Sequence, residues 1–345
     1  MGDMRFLTSL LLGACTLATG APKALFYVTR DPAGLQSFLA HWNKIDILAP
    51  TGYNVDANGV VTGHVDAALL DAAREHHVPV MPLVVNPGFN QDLIHKVLVD
   101  SNAQGTMIDG LIAACMKNGY IGFQFDFENV IDSDRNALSA LVRRTAAAMH
   151  SEGLQLSIAT VPNAPAAPGT GGFSRWIYAN WRNAYDLKAI GEAVDLVCLM
   201  TYDEHTRYTP PGPVAGYQWT LDNLEYALKV VPKDKLSLGI PVYGYRWYAS
   251  DPKDGKPNPA QVTVGGADVQ QLLSSFHPQV QWDEADRSSF FYFYRDYTRE
   301  WVFFTDARTF RERWNLANDR GIQGFCAWVL GKEDPAVWDV LPDRE

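Results

Sequence analysis

Residues 122–128 of this 345-residue chain read Gly122-Phe123-Gln124-Phe125-Asp126-Phe127-Glu128, with phenylalanine at every second position. Because successive side chains of a β-strand point to opposite faces, this alternation predicts a strand with aromatic rings on one face. The other face carries Gln124, Asp126 and Glu128. Two carboxylates held close together suit acid-catalysed bond cleavage, although the same spacing fits a solvated acidic edge strand. The neighbouring segments decide between these interpretations.

Short apolar runs alternate with amphipathic stretches along the chain. The predicted strands are 24–28, 45–49, 80–85, 122–127, 156–160, 195–200, 236–242 and 324–330. Helical patterns separate them, for example at 65–76, 134–152 and 221–231. Eight alternating units predict a parallel (β/α)8 TIM barrel, and no glycine-rich phosphate loop follows the first strand as a doubly wound sheet would favour. In a barrel, functional residues lie at the carboxyl ends of the strands, where Asp126 and Glu128 fall.

One segment breaks this alternation after the seventh strand. Residues 251–259 are rich in proline and glycine, and the aromatic runs 289–295 and 300–305 predict a β-hairpin. Both faces of the hairpin are apolar, so we expect at least one of them to pack against the rest of the domain. The sequence therefore predicts one catalytic domain over 21–345, with a small α+β insertion at about 249–305.

Charge and cysteine usage exclude several classes of function. The chain has 39 acidic and 29 basic residues, a formal charge of −10, and no run of lysine and arginine, so nucleic-acid binding is not expected. Three cysteines follow the first twenty residues, Cys115, Cys198 and Cys326, without metal-binding spacing. We expect them to be small buried hydrophobic residues, and we expect no metal or other cofactor.

The first twenty residues predict an export leader. Arg5 precedes the apolar stretch 6–18, which is short for a membrane-spanning helix and typical of a secretory signal. Cleavage after Gly20 is one route, and processing at the lipoprotein-like box Leu12-Gly13-Ala14-Cys15 is another, which would leave a lipid on Cys15. Both routes lead to a periplasmic or extracellular protein, the second with a membrane anchor, and we expect a monomer.

Further candidate residues lie near the ends of other predicted strands. The sixth strand ends in Met200-Thr201-Tyr202-Asp203, which brings a phenol and an acid to the barrel mouth. The structural alternatives are a core tyrosine and a helix-capping aspartate. Candidates for ligand binding on the remaining strands and loops are Tyr53, Asn86, Tyr243 and Trp328. His205 follows the sixth strand and is expected to be structural, because a single histidine there is more often a hydrogen-bonded framework group than a catalyst.

Together these segments resemble glycoside hydrolase family 18, whose fourth strand has the form Asp-Gly-x-Asp-x-Asp-x-Glu and whose sixth often reads Met-Thr-Tyr-Asp. The segments 202–214 and 328–335 are similar to the bacterial branch that contains spore-cortex-lytic N-acetylglucosaminidases. The chain departs from the family pattern at two positions. Ile121 replaces the first aspartate, and Gln124 stands where the family usually has aspartate or asparagine.

The resemblance implies substrate-assisted, retaining hydrolysis of a β-linked N-acetylglucosamine polymer, with peptidoglycan ahead of chitin. Glu128 matches the general acid and base, and Asp126 matches the residue that orients the substrate's acetamido group. By the same resemblance, Tyr202 would hydrogen-bond the acetamido oxygen, with Asp203 beside it. Trp328 would lie under the sugar ring. Gln124 counts as a substrate-binding candidate.

Glutamine at position 124 removes a like charge from beside Asp126, so we expect Asp126 to ionise more easily than in a site with two aspartates.

Two other functions stay open. A catalytically inactive sugar-binding barrel is disfavoured by the presence of Glu128 together with Asp126 and Tyr202. A hydrolase that uses Asp126 directly as nucleophile is disfavoured because two residues on one strand are poorly placed for attack from opposite sides of a sugar.

Overall fold

The computed structural model describes residues 21–249 and 261–344. The strands are β1 Lys23–Val28, β2 Ile47–Val55, β3 Val61–Gly63, β4 Leu83–Val85, β5 Gly122–Asp126, β6 Gln155–Thr160, β7 Leu196–Leu199, β8 Leu236–Pro241, β9 Gly244–Trp247, β10 Gln261–Val264, β11 Gln281–Asp283, β12 Ser288–Arg295, β13 Thr298–Phe304 and β14 Gly324–Trp328. The α-helices are α1 Pro32–His41, α2 Ala67–Glu75, α3 Gln91–Val99, α4 Ser101–Asn118, α5 Arg135–Ser151, α6 Gly172–Ile177, α7 Leu187–Ala193, α8 Tyr217–Ala227, α9 Gly266–Phe276 and α10 Ala307–Arg320. The leader with Cys15 and the segment 251–259 lie outside the described residues.

Eight parallel strands form a closed barrel, which confirms the predicted fold class. They follow the order β1-β14-β8-β7-β6-β5-β4-β2, and pairing of β1 with β2 closes the ring. The second strand is longer than the sequence pattern indicates, because it continues to Val55 and pairs with the antiparallel β3. Among the described helices, none combines the length and hydrophobicity that a membrane crossing requires.

The three phenylalanines of the opening stretch hold β5 in register. Phe123, Phe125 and Phe127 are buried in the layer between the barrel and its helices, where the rings of Phe125 and Phe127 are in contact with centroids 4.6 Å apart and a tilt of 31°. Burial of each ring contributes about 1.5–3 kcal/mol. A slip of one residue would turn these rings into the barrel, so their burial fixes Gln124 and Asp126 on the inner face.

The insertion between β8 and β14 contains a five-stranded antiparallel sheet in the order β10-β9-β13-β12-β11, together with α9. The aromatic hairpin is present as β12 and β13. The second sheet begins at Gly244, earlier than the predicted boundary at about 249, because the chain turns into β9 soon after β8 ends. One face of the hairpin packs Phe291 and Phe293 in a cluster with residues of α9, and the other places Phe303 beside Tyr243.

Candidate active site

The carboxyl end of β5 brings two acids to the barrel mouth. Asp126 is 7% exposed, whereas Glu128, two residues further on, is partly accessible. Burial raises the pKa of Asp126 to about 7. Burial also raises the pKa of Glu128, and the charges of Asp126 and Asp203 raise it further. A raised pKa favours the protonated form of Glu128, which is the state that a general acid requires.

Gln124 lies inside the barrel and does not face a ligand, contrary to the expectation that it binds substrate. It is fully buried, and its Nε2 donates to Ser157 Oγ at 2.7 Å and to Cys198 Sγ at 3.1 Å. Its Oε1 accepts from no group of the described residues, and neither does Asp126 Oδ1. The sequence-based expectation that Asp126 ionises easily considered only neighbouring charges and not the loss of solvent around the carboxyl group. Position 124 carries no carboxylate, but burial raises the pKa of Asp126 all the same.

Asn86 supports the backbone of the acid, although the sequence suggested that it contacts sugar. This fully buried side chain follows β4, the neighbour of β5. Its Nδ2 donates to the Glu128 carbonyl oxygen at 3.0 Å, and its Oδ1 accepts from the Glu128 N–H at 3.1 Å. Because the amide is occupied on both sides, Asn86 acts on the site through the position of Glu128.

Tyr53 is outside the site, and its assignment as a ligand-binding residue is wrong. Its ring packs edge-on against Phe123 at 5.1 Å, and its hydroxyl lies 3.1 Å from that of Tyr120, on the helix-facing side of the barrel. The cause is a register shift in β2, where Thr51 pairs with Leu83 but Tyr53 pairs with Val84. Such a bulge reverses the face of every following side chain.

Asp203 is held by two tyrosines at the end of β7. Its backbone is in the left-handed region, with φ of 61°. The hydroxyls of Tyr243 and Tyr245 both donate to its Oδ1, each at 2.5 Å. Burial of the carboxyl group raises the pKa of Asp203, and these two hydrogen bonds oppose that rise. Tyr243 is 5% exposed, so the structure places it behind Asp203 instead of at a ligand surface.

Sequence reasoning missed Tyr245 and Tyr185. Tyr245 could have been found from the sequence, because the pattern Tyr243-Gly244-Tyr245 puts two phenols on one side of a strand. No sequence pattern indicates Tyr185, since it precedes α7 in a loop and is distant in sequence from the β5 segment that it contacts. Its buried hydroxyl donates to the Phe127 carbonyl oxygen at 2.7 Å, and the charges of Glu128 and Asp126 help to raise its pKa.

Tyr202 and Trp328 complete the group of side chains around the two acids. Burial raises the pKa of Tyr202, and the charges of Cys326, Asp126, Glu128 and Asp203 add to this effect, so its hydroxyl stays protonated and can donate a hydrogen bond. Trp328 is partly exposed at the end of β14, and its ring lies 5.2 Å from that of the buried Tyr27. The arrangement offers a protonated acid, a buried carboxyl group, a phenol donor and an accessible indole face.

Comparisons with known proteins agree with this geometry. The sequence profile of Glycosyl hydrolases family 18 matches residues 45–333. The chain is 26% identical over 330 residues to the uncharacterized glycosylase YvbX of Bacillus subtilis, covering 94% of this chain and 92% of that protein. It is 27% identical over 305 residues to the cortical fragment-lytic enzyme of the same organism, covering 86% and 67%.

A solved chitinase from Chromobacterium violaceum superposes with a TM-score of 0.81 and 28% sequence identity, covering 93% of this chain and 98% of that one. The profile match spans most of the barrel, from just before β2 to just after β14. The chain belongs to glycoside hydrolase family 18 and is a glycosidase.

Proposed function

We propose that this protein is an exported glycosidase that cleaves β-linked N-acetylglucosamine polymers by a substrate-assisted, retaining mechanism. The observation that carries the proposal is the pairing of Glu128, whose pKa is raised by burial, with the buried Asp126 two residues before it at the end of β5. Two of the similar proteins are named as a cortical fragment-lytic enzyme and a chitinase, which agrees with this class of substrate. Export rests on the leader-like pattern of the first twenty residues.

In the first step, the carboxylic acid of Glu128 gives its proton to the glycosidic oxygen as the bond to the anomeric carbon breaks. The acetamido oxygen of the same sugar attacks that carbon and forms a cyclic oxazolinium ion. Asp126 accepts a hydrogen bond from the acetamido N–H and stabilises its growing positive charge. Tyr202 donates to the acetamido oxygen and orients it for attack.

In the second step, the carboxylate of Glu128 takes a proton from water as the water oxygen attacks the anomeric carbon. The ring opens, the acetamido group is restored, and the product keeps the β configuration. Direct attack by Asp126 fits less well, because Asp126 ends β5 only two residues before Glu128 and is only 7% exposed. Trp328 offers the accessible ring on which the sugar stacks.

The central experiment compares wild type with Glu128→Gln on N-acetylglucosamine oligomers and purified peptidoglycan, with new reducing ends identified by mass spectrometry. We expect a loss of turnover of about 10³-fold or more with binding retained, since glutamine cannot transfer the proton. Glu152→Gln, at an exposed position just after α5, is the matched control and should keep full activity.

Two further outcomes would replace the proposal. A covalent glycosyl-enzyme trapped on Asp126 would establish a direct nucleophile, whereas inhibition by a thiazoline analogue supports participation of the acetamido group. If wild type and Glu128→Gln bind oligomers equally and neither releases product, the barrel is a sugar-binding protein.

A further inference from the structure

Three arginines lie in two loops beside the candidate site. Residues 161–186 connect β6 to α7 and include α6, and residues 200–216 connect β7 to α8. They contain Arg175, Arg182 and Arg207, and their acidic residues have other partners: Asp186 pairs with Arg135, Asp203 accepts from Tyr243 and Tyr245, and Glu204 accepts from the Gly216 N–H. Both loops leave the carboxyl ends of barrel strands, the edge at which the acids lie.

Exposed aromatic rings accompany these arginines. Phe173, Trp176 and Tyr208 are 56%, 50% and 71% exposed. Phe173 stacks with Trp176 at 6.1 Å between ring centroids and contacts Tyr208 across the two loops at 6.3 Å. The Arg207 guanidinium lies 5.2 Å from the centre of the Tyr208 ring. We call Phe173, Arg175, Trp176, Arg207 and Tyr208 the arginine-aromatic platform.

Hydrogen bonds attach the loop after β6 to both sides of the general acid. Tyr185 donates to the carbonyl oxygen of Phe127, the residue before Glu128. On the other side, Gln91 Nε2 lies 3.2 Å from the carbonyl oxygen of Asn129, the residue after Glu128, and 3.2 Å from Asn180 Oδ1 in the loop. The loop that carries part of the platform is therefore anchored next to the reacting position.

The arginines have no acidic partner within residues 21–249 and 261–344. Arg175 donates to the Thr170 carbonyl oxygen, and no described carboxylate forms an ion pair with Arg175, Arg182 or Arg207. Arg182 is partly buried, and this burial lowers its pKa. Guanidinium groups pair well with carboxylates in forked geometry, and these three are available for an external anion.

We propose that the platform binds carboxylate groups of an acidic glycan, so that the substrate is peptidoglycan-like and not neutral chitin. The rings stack on sugar faces, and the guanidinium groups pair with carboxylates carried by alternate sugars or by peptide side chains. A neutral N-acetylglucosamine polymer can use the rings but not the charges. This inference rests on the proposed function, because it names the substrate class of the same site.

The experiment compares one peptidoglycan preparation in two forms, native and with its carboxylates converted to neutral amides. For wild type, we expect amidation to lower kcat/KM about tenfold or more, mainly through KM, and added salt to weaken cleavage of the native form only. The double variant Arg175→Gln/Arg207→Gln should cleave both forms at the rate at which wild type cleaves the amidated one. Both arginines are exposed, so the fold should persist.

The matched control is Arg143→Gln/Arg311→Gln, which removes two exposed charges from α5 and α10 and should behave as wild type. Equal cleavage of native and amidated peptidoglycan by wild type, or equal loss in both double variants, would overturn the inference and leave the glycosidase proposal intact. If the protein cleaves no N-acetylglucosamine substrate, both this inference and the proposed function are wrong. Arginine-dependent binding to anionic lipid vesicles without any preference among glycans would assign the platform to a membrane surface.

Discussion

Asn86 and Glu128 exchange two hydrogen bonds, one in which the Asn86 amide donates to the Glu128 carbonyl oxygen and one in which it accepts from the Glu128 N–H. One side chain therefore fixes both polar groups of the backbone from which the proposed acid projects. Because the chain leaves β5 at Asp126, Glu128 has no strand pairing of its own to hold it. The side-chain amide of Asn86, just after the neighbouring strand β4, supplies that restraint.

Replacement of Asn86 by alanine should impair catalysis as well as stability. We expect a loss of about 2 kcal/mol in the free energy of unfolding, since two buried backbone groups lose partners, and a fall in kcat of about tenfold or more from misplacement of the acid. Chemical denaturation and initial rates measure the two effects. Asn223→Ala is the control, because this buried amide also makes two backbone hydrogen bonds, to Ala164 and Trp219. An equal loss of kcat in both variants would contradict positioning of Glu128.

The substitution Asp126→Asn should stabilise the fold at high pH. In the unfolded chain Asp126 ionises near pH 4, whereas in the folded chain burial delays ionisation to about pH 7. The folded state therefore binds the extra proton, and wild-type stability falls as pH rises between these values. A difference of about 3 pH units corresponds to on the order of 4 kcal/mol.

Denaturation of wild type and Asp126→Asn between pH 4 and pH 8 checks this expectation. The variant should gain stability relative to wild type across that range and lose activity. Asp109→Asn, at an exposed position of α4, should leave the pH dependence unchanged. Parallel stability curves for wild type and Asp126→Asn would show that Asp126 is ionised in the folded protein.

The substitution Gln124→Asp should change the pH profile of kcat/KM. In wild type, the free oxygen of Gln124 can accept a hydrogen bond from protonated Asp126 but can donate none to its carboxylate. A second carboxyl group could share a proton with Asp126, so the first proton leaves the pair more easily than it leaves Asp126 in wild type, whereas the second leaves less easily because two like charges result. We expect the acidic limb to move to lower pH by about one unit. Gln124→Leu, which shares no proton, should not show this shift, and identical acidic limbs for wild type and Gln124→Asp would rule out the effect.

Removal of the two phenols that hold Asp203 should be strongly non-additive. Either Tyr243→Phe or Tyr245→Phe leaves one hydrogen bond to the carboxylate, so each single variant should lose activity by about threefold or less. The double variant frees the carboxylate and raises the pKa of Asp203 further, and we expect a loss of about thirtyfold or more. A double-mutant cycle built from the kcat values of the four proteins measures the coupling between Tyr243 and Tyr245. Additive losses would mean that the two tyrosines act independently of Asp203.

Part of this architecture follows from sequence patterns alone. The phenylalanine alternation of β5 predicted which face packs in an apolar layer, and the order of apolar runs predicted the eight-stranded barrel. Both succeed because periodicity is a local property that burial enforces. The aromatic hairpin of the insertion followed from the same reasoning, although its sheet begins at Gly244, before the predicted boundary at about 249.

The functions of individual polar side chains depended on contacts that the sequence does not display. A bulge in β2 turned Tyr53 away from the barrel interior, and cross-strand hydrogen bonds directed Asn86 to the backbone of Glu128. The pKa of Asp126 followed the loss of solvent more than the absence of a charged neighbour. The sequence by itself determined the barrel and the strand that carries the acids, because both depend on the spacing of apolar residues along the chain. Only the tertiary structure decided register, hydrogen-bond partners and desolvation, because each of these depends on residues distant in sequence.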